Sequence, residues 1–150
     1  ATTWPWSWPR WPDAYDGGVT DAQTPYERFG GAPFFEALVS RFYDGVAADG
    51  PLRALYPEAD LGPAEDRLRM FLEQYFGGPR TYSDQRGHPR LRMRHAPYAV
   101  TVDMRDRWLH HMLAALDSLA LPAAEDAEIR DYLVRSADFM VNARDDGVWR

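Results

Sequence analysis

Apolar side chains recur at every third or fourth position along most of the chain after Pro25, which is the spacing of amphipathic helices. Proline is favoured in the first turn of a helix, so a proline in front of such a pattern marks a predicted start. The pattern restarts four times, at Pro33, Pro63, about Thr101 and Pro122. Residues 49–62 lack it and are predicted to hold one short turn, and residues 77–87 are predicted to form a loop. Because no hairpin signal or glycine-rich nucleotide motif occurs, the sequence predicts an all-α fold.

Composition narrows the class of protein further. The 150 residues, of which 45% are hydrophobic, suffice for one globular domain with a buried core. Cysteine is absent and all 17 basic residues are arginine, which excludes disulfides, thiolate metal sites and lysine chemistry. A net charge of −6 argues against general nucleic-acid binding. No apolar run reaches the about 18–20 residues of a membrane span, and no secretion signal is visible, so a cytoplasmic protein is expected.

The first 25 residues differ from the rest and are predicted to be an extension, with the globular domain over 26–150. Their stretch "WPWSWPRWP" alternates tryptophan with proline or serine, and proline opposes both helices and sheets. An extended, polyproline-like segment is therefore expected. Its four tryptophans have two interpretations. They fold back on the domain or pack against a second copy in a homodimer, or they dock on a partner or a membrane interface.

The stretch "RGHPRLRMRHAPY" places two histidines, His88 and His95, seven residues apart. Three interpretations are open: a metal site, an anion-binding strip, or a short helix that offers one histidine to a cofactor. A zinc site needs at least three ligands, and the chain has only four histidines. The other two, His110 and His111, are adjacent on a predicted helix and point about 100° apart. Zinc is therefore disfavoured, and His110 and His111 are expected at or near the surface.

His95 is the histidine that best suits a cofactor. Pro89 is the predicted first residue of a short helix, which places His88 at the cap and His95 in the last turn. Leu91 and Arg92 precede His95 by four and three residues and share its face. That face would combine an imidazole, an apolar wall and a cation, which an anionic planar cofactor requires. A capping or core role for His95 remains the alternative.

Four aromatic residues fall on the predicted interior faces of separate segments: Tyr43, Tyr56, Phe71 and Trp108. Tyrosine and tryptophan usually need hydrogen-bond partners when they are buried. They either meet in one pocket, where a ligand accepts their protons, or pack separately with their polar atoms on backbone carbonyls. The sequence pattern leaves both arrangements open.

A long stretch of the chain also resembles a known protein family. The chain from Ser40 to Val100 resembles the heart of a group II (O-type) truncated haemoglobin of the actinobacterial kind. "MRDRWLHHM" and "SADFMVNA" continue the match, which covers about residues 26–142. The resemblance implies a two-over-two helical sandwich, a shortened globin fold, with haem b (iron protoporphyrin IX) between the helix pairs.

The resemblance also implies roles for particular residues. The histidine of "RMRHAP" is His95, the implied proximal ligand of the iron, and its other ring nitrogen is expected to donate to a backbone carbonyl or a similar acceptor. The implied residues of the distal, ligand-binding side are Tyr43, Tyr56, Trp108, Ala64 and Leu68. The implied contacts to the haem itself are Arg67, Phe71, Tyr75, Tyr82, Leu91, Arg92 and Tyr98.

Two functions are compatible with such a site. One is the binding of O2 and other small diatomics at a five-coordinate iron, with polar distal donors that slow release. The other is a haem redox enzyme, peroxidase-like or NO-oxidising. It would need an external electron donor, since no separate reductase domain is expected within 150 residues. A third interpretation, without haem, is an all-α interaction module.

Overall fold

Residues 23–144 are described by the structure, a computed structural model, and they form α-helices joined by short connections. The eight helices of this part are α1 Pro25–Phe29, α2 Gly31–Ala48, α3 Gly50–Arg53, α4 Gly62–Tyr75, α5 Thr81–Arg86, α6 Leu91–His95, α7 Val102–Ser118 and α8 Ala123–Met140. The all-α prediction is confirmed, as is the single short turn within 49–62. The Trp-rich stretch lies outside the described residues, so the division at residue 25 remains a prediction.

The four long helices form two pairs. Helix α2 packs against α4 and against α7, and α7 packs in turn against α8. This arrangement is the two-over-two sandwich that the resemblance implied. The side chains between the pairs are apolar and fully or almost fully buried: Phe35, Leu38, Phe42, Met112, Leu116, Ile129 and Leu133. No helix in this part of the chain is both long and apolar enough to cross a membrane.

Local capping explains where several helices begin. Three helix starts are capped by a side chain that precedes them, and each cap accepts a backbone N–H three residues on. The Thr24 hydroxyl caps α1, the Asp49 carboxylate caps α3 and the Thr101 hydroxyl caps α7. Such caps satisfy backbone donors that have no partner inside the helix. They place the start of α7 directly after Thr101, as the sequence predicts.

The predicted loop over 77–87 is wrong, because α5 lies within it. Tyr82 is buried, and the backbone N–H of Ser83 donates to the side-chain oxygen of Gln74 at 2.9 Å. A six-residue helix gains little from its own hydrogen bonds. Helix α5 is therefore held by contacts to α4, which local sequence does not reveal.

The predicted start of the short helix at Pro89 is also wrong. Arg90 precedes α6 in the left-handed region, with φ 42° and ψ 51°, so the helix begins two residues after Pro89. The Nδ1 atom of His88 accepts the backbone N–H of Arg90 at 3.2 Å. His88 is exposed and lies ahead of the cap. The two histidines of this stretch are therefore not a pair.

Candidate functional site

A cavity of about 580 Å³ lies between the two helix pairs, under α6. This volume is within the usual range for small-molecule and cofactor pockets. All but two of the predicted site residues line it: Tyr43, Tyr56, Ala64, Arg67, Leu68, Phe71, Tyr82, Leu91, His95, Tyr98 and Trp108. The apolar part of its wall includes Leu52, Leu55, Leu72, Val100, Met104, Leu133 and Met140. The fold thus gathers side chains from every long helix around one space.

On the α6 side, the orientation of His95 is set by one short hydrogen bond. Its Nδ1 atom lies 2.6 Å from the carbonyl oxygen of Leu91. A carbonyl oxygen only accepts, so Nδ1 must carry the proton and donate. The lone pair therefore remains on Nε2, the atom that a metal would use. The expectation of a backbone carbonyl partner is confirmed.

Asn142 connects the end of α6 to the segment that follows α8. Its side-chain amide donates to the carbonyl oxygens of His95 at 3.2 Å and Tyr98 at 3.0 Å. Its side-chain oxygen accepts the backbone N–H of Val100 at 2.8 Å. This buried residue is absent from the predicted site, because no local pattern indicates partners more than 40 residues away.

The opposite wall brings the three polar aromatics together, so of the two arrangements left open the single pocket is the observed one. The rings of Tyr43 and Tyr56 meet edge to face, with centroids 5.8 Å apart, and the Tyr43 hydroxyl donates to the Ala64 carbonyl at 3.3 Å. Burial raises the pKa of the Tyr43 hydroxyl far above its ordinary value. Burial also raises the pKa of Tyr56, and hydrogen bonding with Tyr43 and Trp108 offsets part of that rise. Both phenols therefore keep their protons at neutral pH and remain donors.

Cationic side chains occupy another part of the cavity wall: Arg67, Arg86, Arg94 and Arg105. Only the first of them is among the predicted residues. Arg67 is paired with the Glu58 carboxylate, at 2.8 and 3.0 Å. Arg94 donates to the carbonyl oxygens of Pro89 at 2.7 Å and Arg86 at 2.8 Å, and finds no carboxylate within the described chain. These guanidinium groups suit a ligand that carries carboxylates of its own.

Two predicted residues lie elsewhere. Arg92 is exposed; it donates to the carbonyl oxygen of Phe139 at 3.3 Å and lies 5.6 Å from the centre of that ring. Tyr75 is separated from the cavity by Tyr132, whose ring stacks on it at 3.9 Å and itself lines the cavity. The structure places Arg86 and Arg94 on the cavity wall, where Arg92 was expected.

Two hydroxyl groups on the cavity wall are buried and have no hydrogen-bond partner in the described structure apart from each other. They belong to Tyr132 and Ser136, one helical turn apart on α8. Buried polar atoms are almost always satisfied by protein, water or ligand. Neither residue is among the predicted site residues, and their hydroxyls give the cavity wall polar atoms beside its apolar side chains.

Comparison with known proteins decides the family. Residues 24–142 match the family described as bacterial-like globin. The chain belongs to the bacterial-like globin family. A group 2 truncated haemoglobin of Bacillus subtilis is 38% identical over 109 residues, which are 73% of this chain and 78% of that protein. The resemblance to group II truncated haemoglobins is confirmed.

Solved structures of bacterial globins agree in fold. A thermostable haemoglobin from the actinobacterium Thermobifida fusca superposes with a TM-score of 0.79 at 62% identity, over 80% of this chain and 98% of that one. A group II truncated haemoglobin from Bacillus anthracis superposes with a TM-score of 0.80 at 33% identity, over 84% of this chain and 96% of that one. Globins bind small diatomic ligands at a haem, and this globin is expected to do the same.

The cavity of this globin fits a haem on its own chemistry. Apolar walls suit the porphyrin face, the imidazole Nε2 suits the iron, and guanidinium groups suit the propionate carboxylates. The buried hydroxyls of Tyr132 and Ser136, which have no partner beyond each other in the described structure, leave polar atoms that a bound group or its water would satisfy. The one acidic side chain on the described cavity wall is that of Glu58, which is paired with Arg67.

Proposed function

We propose that this chain binds haem b through His95 and holds O2, or another small diatomic, against Tyr43, Tyr56 and Trp108. The observation that supports this most strongly is the difference between the cavity's two sides. One side offers a single imidazole nitrogen whose lone pair is free, and the other gathers two phenols and an indole. Haem iron held by one neutral histidine keeps its sixth position for a diatomic.

The distal side chains act as hydrogen-bond donors. Bound O2 takes partial negative charge, and donors that face it slow its release. An indole N–H only donates, so Trp108 can serve the ligand directly. The Tyr43 hydroxyl donates to the Ala64 carbonyl over a long 3.3 Å, and that bond costs little to exchange for one to a charged acceptor. Tyr56 lies between them and completes the donor set.

The remaining polar residues serve to orient the cofactor. Arg86 and Arg94 flank the buried ring of Tyr82, at 6.0 and 5.8 Å from its centre, on the cavity wall. We assign them the propionate carboxylates in preference to Arg92, whose guanidinium is turned towards α8. Leu91 and Phe71 would contact the ring. Asn142 acts as a positioning residue, since it holds the backbone of His95.

The test is the rate of O2 dissociation from the ferrous protein, measured by ligand replacement in a stopped-flow instrument. One charge-polarised hydrogen bond contributes about 1.5–3 kcal/mol, so Tyr43→Phe or Trp108→Leu alone should release O2 roughly ten- to a hundredfold faster, and the double variant should release it at least as fast. Tyr26→Phe removes a phenol outside the cavity and should leave the rate unchanged. An unchanged rate in the double variant would disprove the distal donor role.

The same preparation separates binding from redox catalysis. A protein that binds and slowly releases O2 should consume hydrogen peroxide only slowly in the presence of an organic reductant. Rapid turnover would instead assign the haem redox enzyme, with the same distal donors stabilising charge on the peroxide oxygens. A purified protein that shows no Soret band and takes up no hemin would exclude both functions.

A further inference from the structure

The arginines of this globin divide into two groups by their partners. One group pairs with carboxylates: Arg28, Arg67, Arg69, Arg105, Arg107, Arg130 and Arg135. The other group has no carboxylate within hydrogen-bonding or ion-pair distance in the part of the chain that the structure describes: Arg41, Arg53, Arg80, Arg86, Arg90, Arg92 and Arg94. Arg41 in α2 and Arg53 at the end of α3 donate to hydroxyl or carbonyl oxygens, and the other five lie on or beside α5 and α6. Between residues 85 and 102 the sequence holds no acidic residue, although the whole chain carries a net charge of −6.

The outer face of α6 also exposes an apolar side chain. Met93 is 60% exposed, against 39% for Val134, the other large apolar side chain exposed in the part of the chain that the structure describes. Residues two apart on a helix lie about 200° around its axis. Met93 is therefore opposite both Leu91 and His95, which line the cavity. Arg90 and Arg92 flank Met93, and both are exposed. We call Arg90, Arg92 and Met93 the α6 outer face.

The haem does not account for this face. Arg86 and Arg94 line the cavity and are assigned to the propionates, whereas Arg90, Arg92 and Met93 are absent from its wall. An uncompensated charge cluster on an otherwise acidic protein favours a partner with a complementary acidic surface. Methionine and arginine are enriched at protein interfaces. An exposed methionine between the arginines favours a protein partner over a polyanion, which would have no apolar group to cover it.

We propose that the α6 outer face docks an acidic electron-transfer protein that reduces the haem iron. The inference rests on the proposed haem function, since it uses the place of His95. One electron passes from the reduced centre of the partner to ferric iron; the partner is oxidised by one electron, the iron becomes ferrous, and no bond or proton changes. A partner seated on Met93 is separated from the proximal imidazole by one helix, about 10 Å across.

The first experiment measures docking alone, without turnover. Holoprotein is titrated calorimetrically with an oxidised, acidic [2Fe–2S] ferredoxin and, separately, with an acidic flavodoxin, at low and high salt. At least one should bind, and its affinity should fall as salt screens the charges. Arg90→Glu should weaken binding by about tenfold or more, Arg90→Lys should retain it, and Met93→Ser should weaken it by a few fold.

The second experiment measures the electron. Reduced ferredoxin or flavodoxin is mixed with the ferric protein and the visible bands of ferrous haem are followed. Reduction should slow in Arg90→Glu in parallel with the loss of affinity, whereas reduction by dithionite, which needs no docking, should not change. Arg135→Glu is the matched control, because it makes the same charge reversal on the exposed face of α8. The Soret band checks that every variant retains ligated haem.

The outcomes keep the two proposals apart. If neither probe binds at low salt, or if wild type and Arg90→Glu bind equally, the docking proposal is overturned. Binding to phosphatidylglycerol vesicles that depends on Arg90, without binding to either protein, overturns it as well and assigns the face to a membrane. If docking depends on Arg90 but the distal variants do not change O2 release, the docking proposal stands and the distal donor role fails.

Discussion

The two walls of the cavity are built by different forces. On the distal wall, Phe42 is fully buried and its ring lies 4.9 Å from that of Tyr43 and 5.1 Å from that of Trp108. The distal donors Tyr43 and Trp108 are therefore supported by a packed apolar core. On the proximal wall, α6 is five residues long and buries none of them. It is held by polar bonds from His95, Asn142 and Arg94 to backbone carbonyls.

The difference has an energetic meaning. A buried aromatic side chain removes a large apolar area from water and is costly to delete. A single neutral hydrogen bond contributes only about 0.5–1.5 kcal/mol net. Substitutions in the distal wall should therefore cost much unfolding free energy. Substitutions in the proximal wall should cost less, but they should loosen the local structure around His95. Substitutions in the two walls test this contrast.

The largest effect is expected from the imidazole itself. His95→Ala removes the nitrogen that we propose as the iron ligand, and no second histidine of the described chain lines the cavity. Haem retention should fall almost completely, as measured by the Soret band after gel filtration. His110→Ala, on the exposed face of α7, is the control and should retain haem. A fully loaded His95→Ala protein would contradict the proposed ligand.

The next largest effect should come from the distal core. Phe42→Ala leaves a cavity beneath both Tyr43 and Trp108, so the free energy of unfolding should fall by about 3–5 kcal/mol. Chemical denaturation of the apoprotein measures the loss. O2 release should also quicken as the donors lose support. Val134→Ala trims an exposed side chain and should change the unfolding free energy little. A loss as small as that of the control would show that the distal wall is not held by packing.

The proximal wall should respond more weakly in stability and more strongly in haem release. Asn142→Ala breaks three hydrogen bonds and leaves two partly buried carbonyls without these donors, so about 1–3 kcal/mol of unfolding free energy should be lost. Hemin transfer to an excess of an acceptor apoprotein should become faster, while O2 release keeps its rate. Gln85→Ala at an exposed position is the control. If hemin transfer from Asn142→Ala is as slow as from wild type, or slower, the role of Asn142 is contradicted.

The smallest effect is expected from the ionic cluster around Asp49, at the start of α3. Helix α3 directly precedes the segment that carries Tyr56. The Asp49 carboxylate accepts from His111 Nε2 at 2.8 Å and from Arg107 at 3.0 Å. The hydrogen bond from His111 is the main cause that holds the pKa of Asp49 below its ordinary value. A carboxyl whose pKa is lower in the folded state stabilises the fold above its unfolded pKa, about 3.9.

That stabilisation must disappear as pH falls through the lower, folded-state pKa of Asp49. Asp49→Asn keeps a capping oxygen for α3 and removes the charge, together with one of the two oxygens that accept from His111 and Arg107. Its unfolding free energy, measured by denaturant titration across pH, should lie below that of wild type near neutrality and converge with it in acid. Asp131→Asn, in an exposed ion pair, should show little difference at any pH. A gap between wild type and Asp49→Asn that persists in strong acid would rule out the ionic origin.

Long elements were predictable from sequence because their signals are local. The starts after Thr101 and Pro122 follow from a capping hydroxyl and a proline, and each precedes an apolar repeat. Helix α5 escaped prediction, because its formation depends on the burial of Tyr82 and on Gln74 of another helix. Arg92 was misplaced for a related reason. In a five-residue helix that begins from a left-handed residue, spacing does not determine which arginine turns inward.

Sequence by itself determined the helical order of this globin, its family and the pool of side chains from which a haem site is drawn. Those properties depend on periodicity and on matching stretches of residues, which are local along the chain. Only the tertiary structure decided which His95 nitrogen keeps its lone pair, which arginines line the cavity and which face of α6 is left without carboxylates. Each depends on partners brought together by folding, such as Asn142 beside His95, 47 residues apart. No local pattern encodes such a contact.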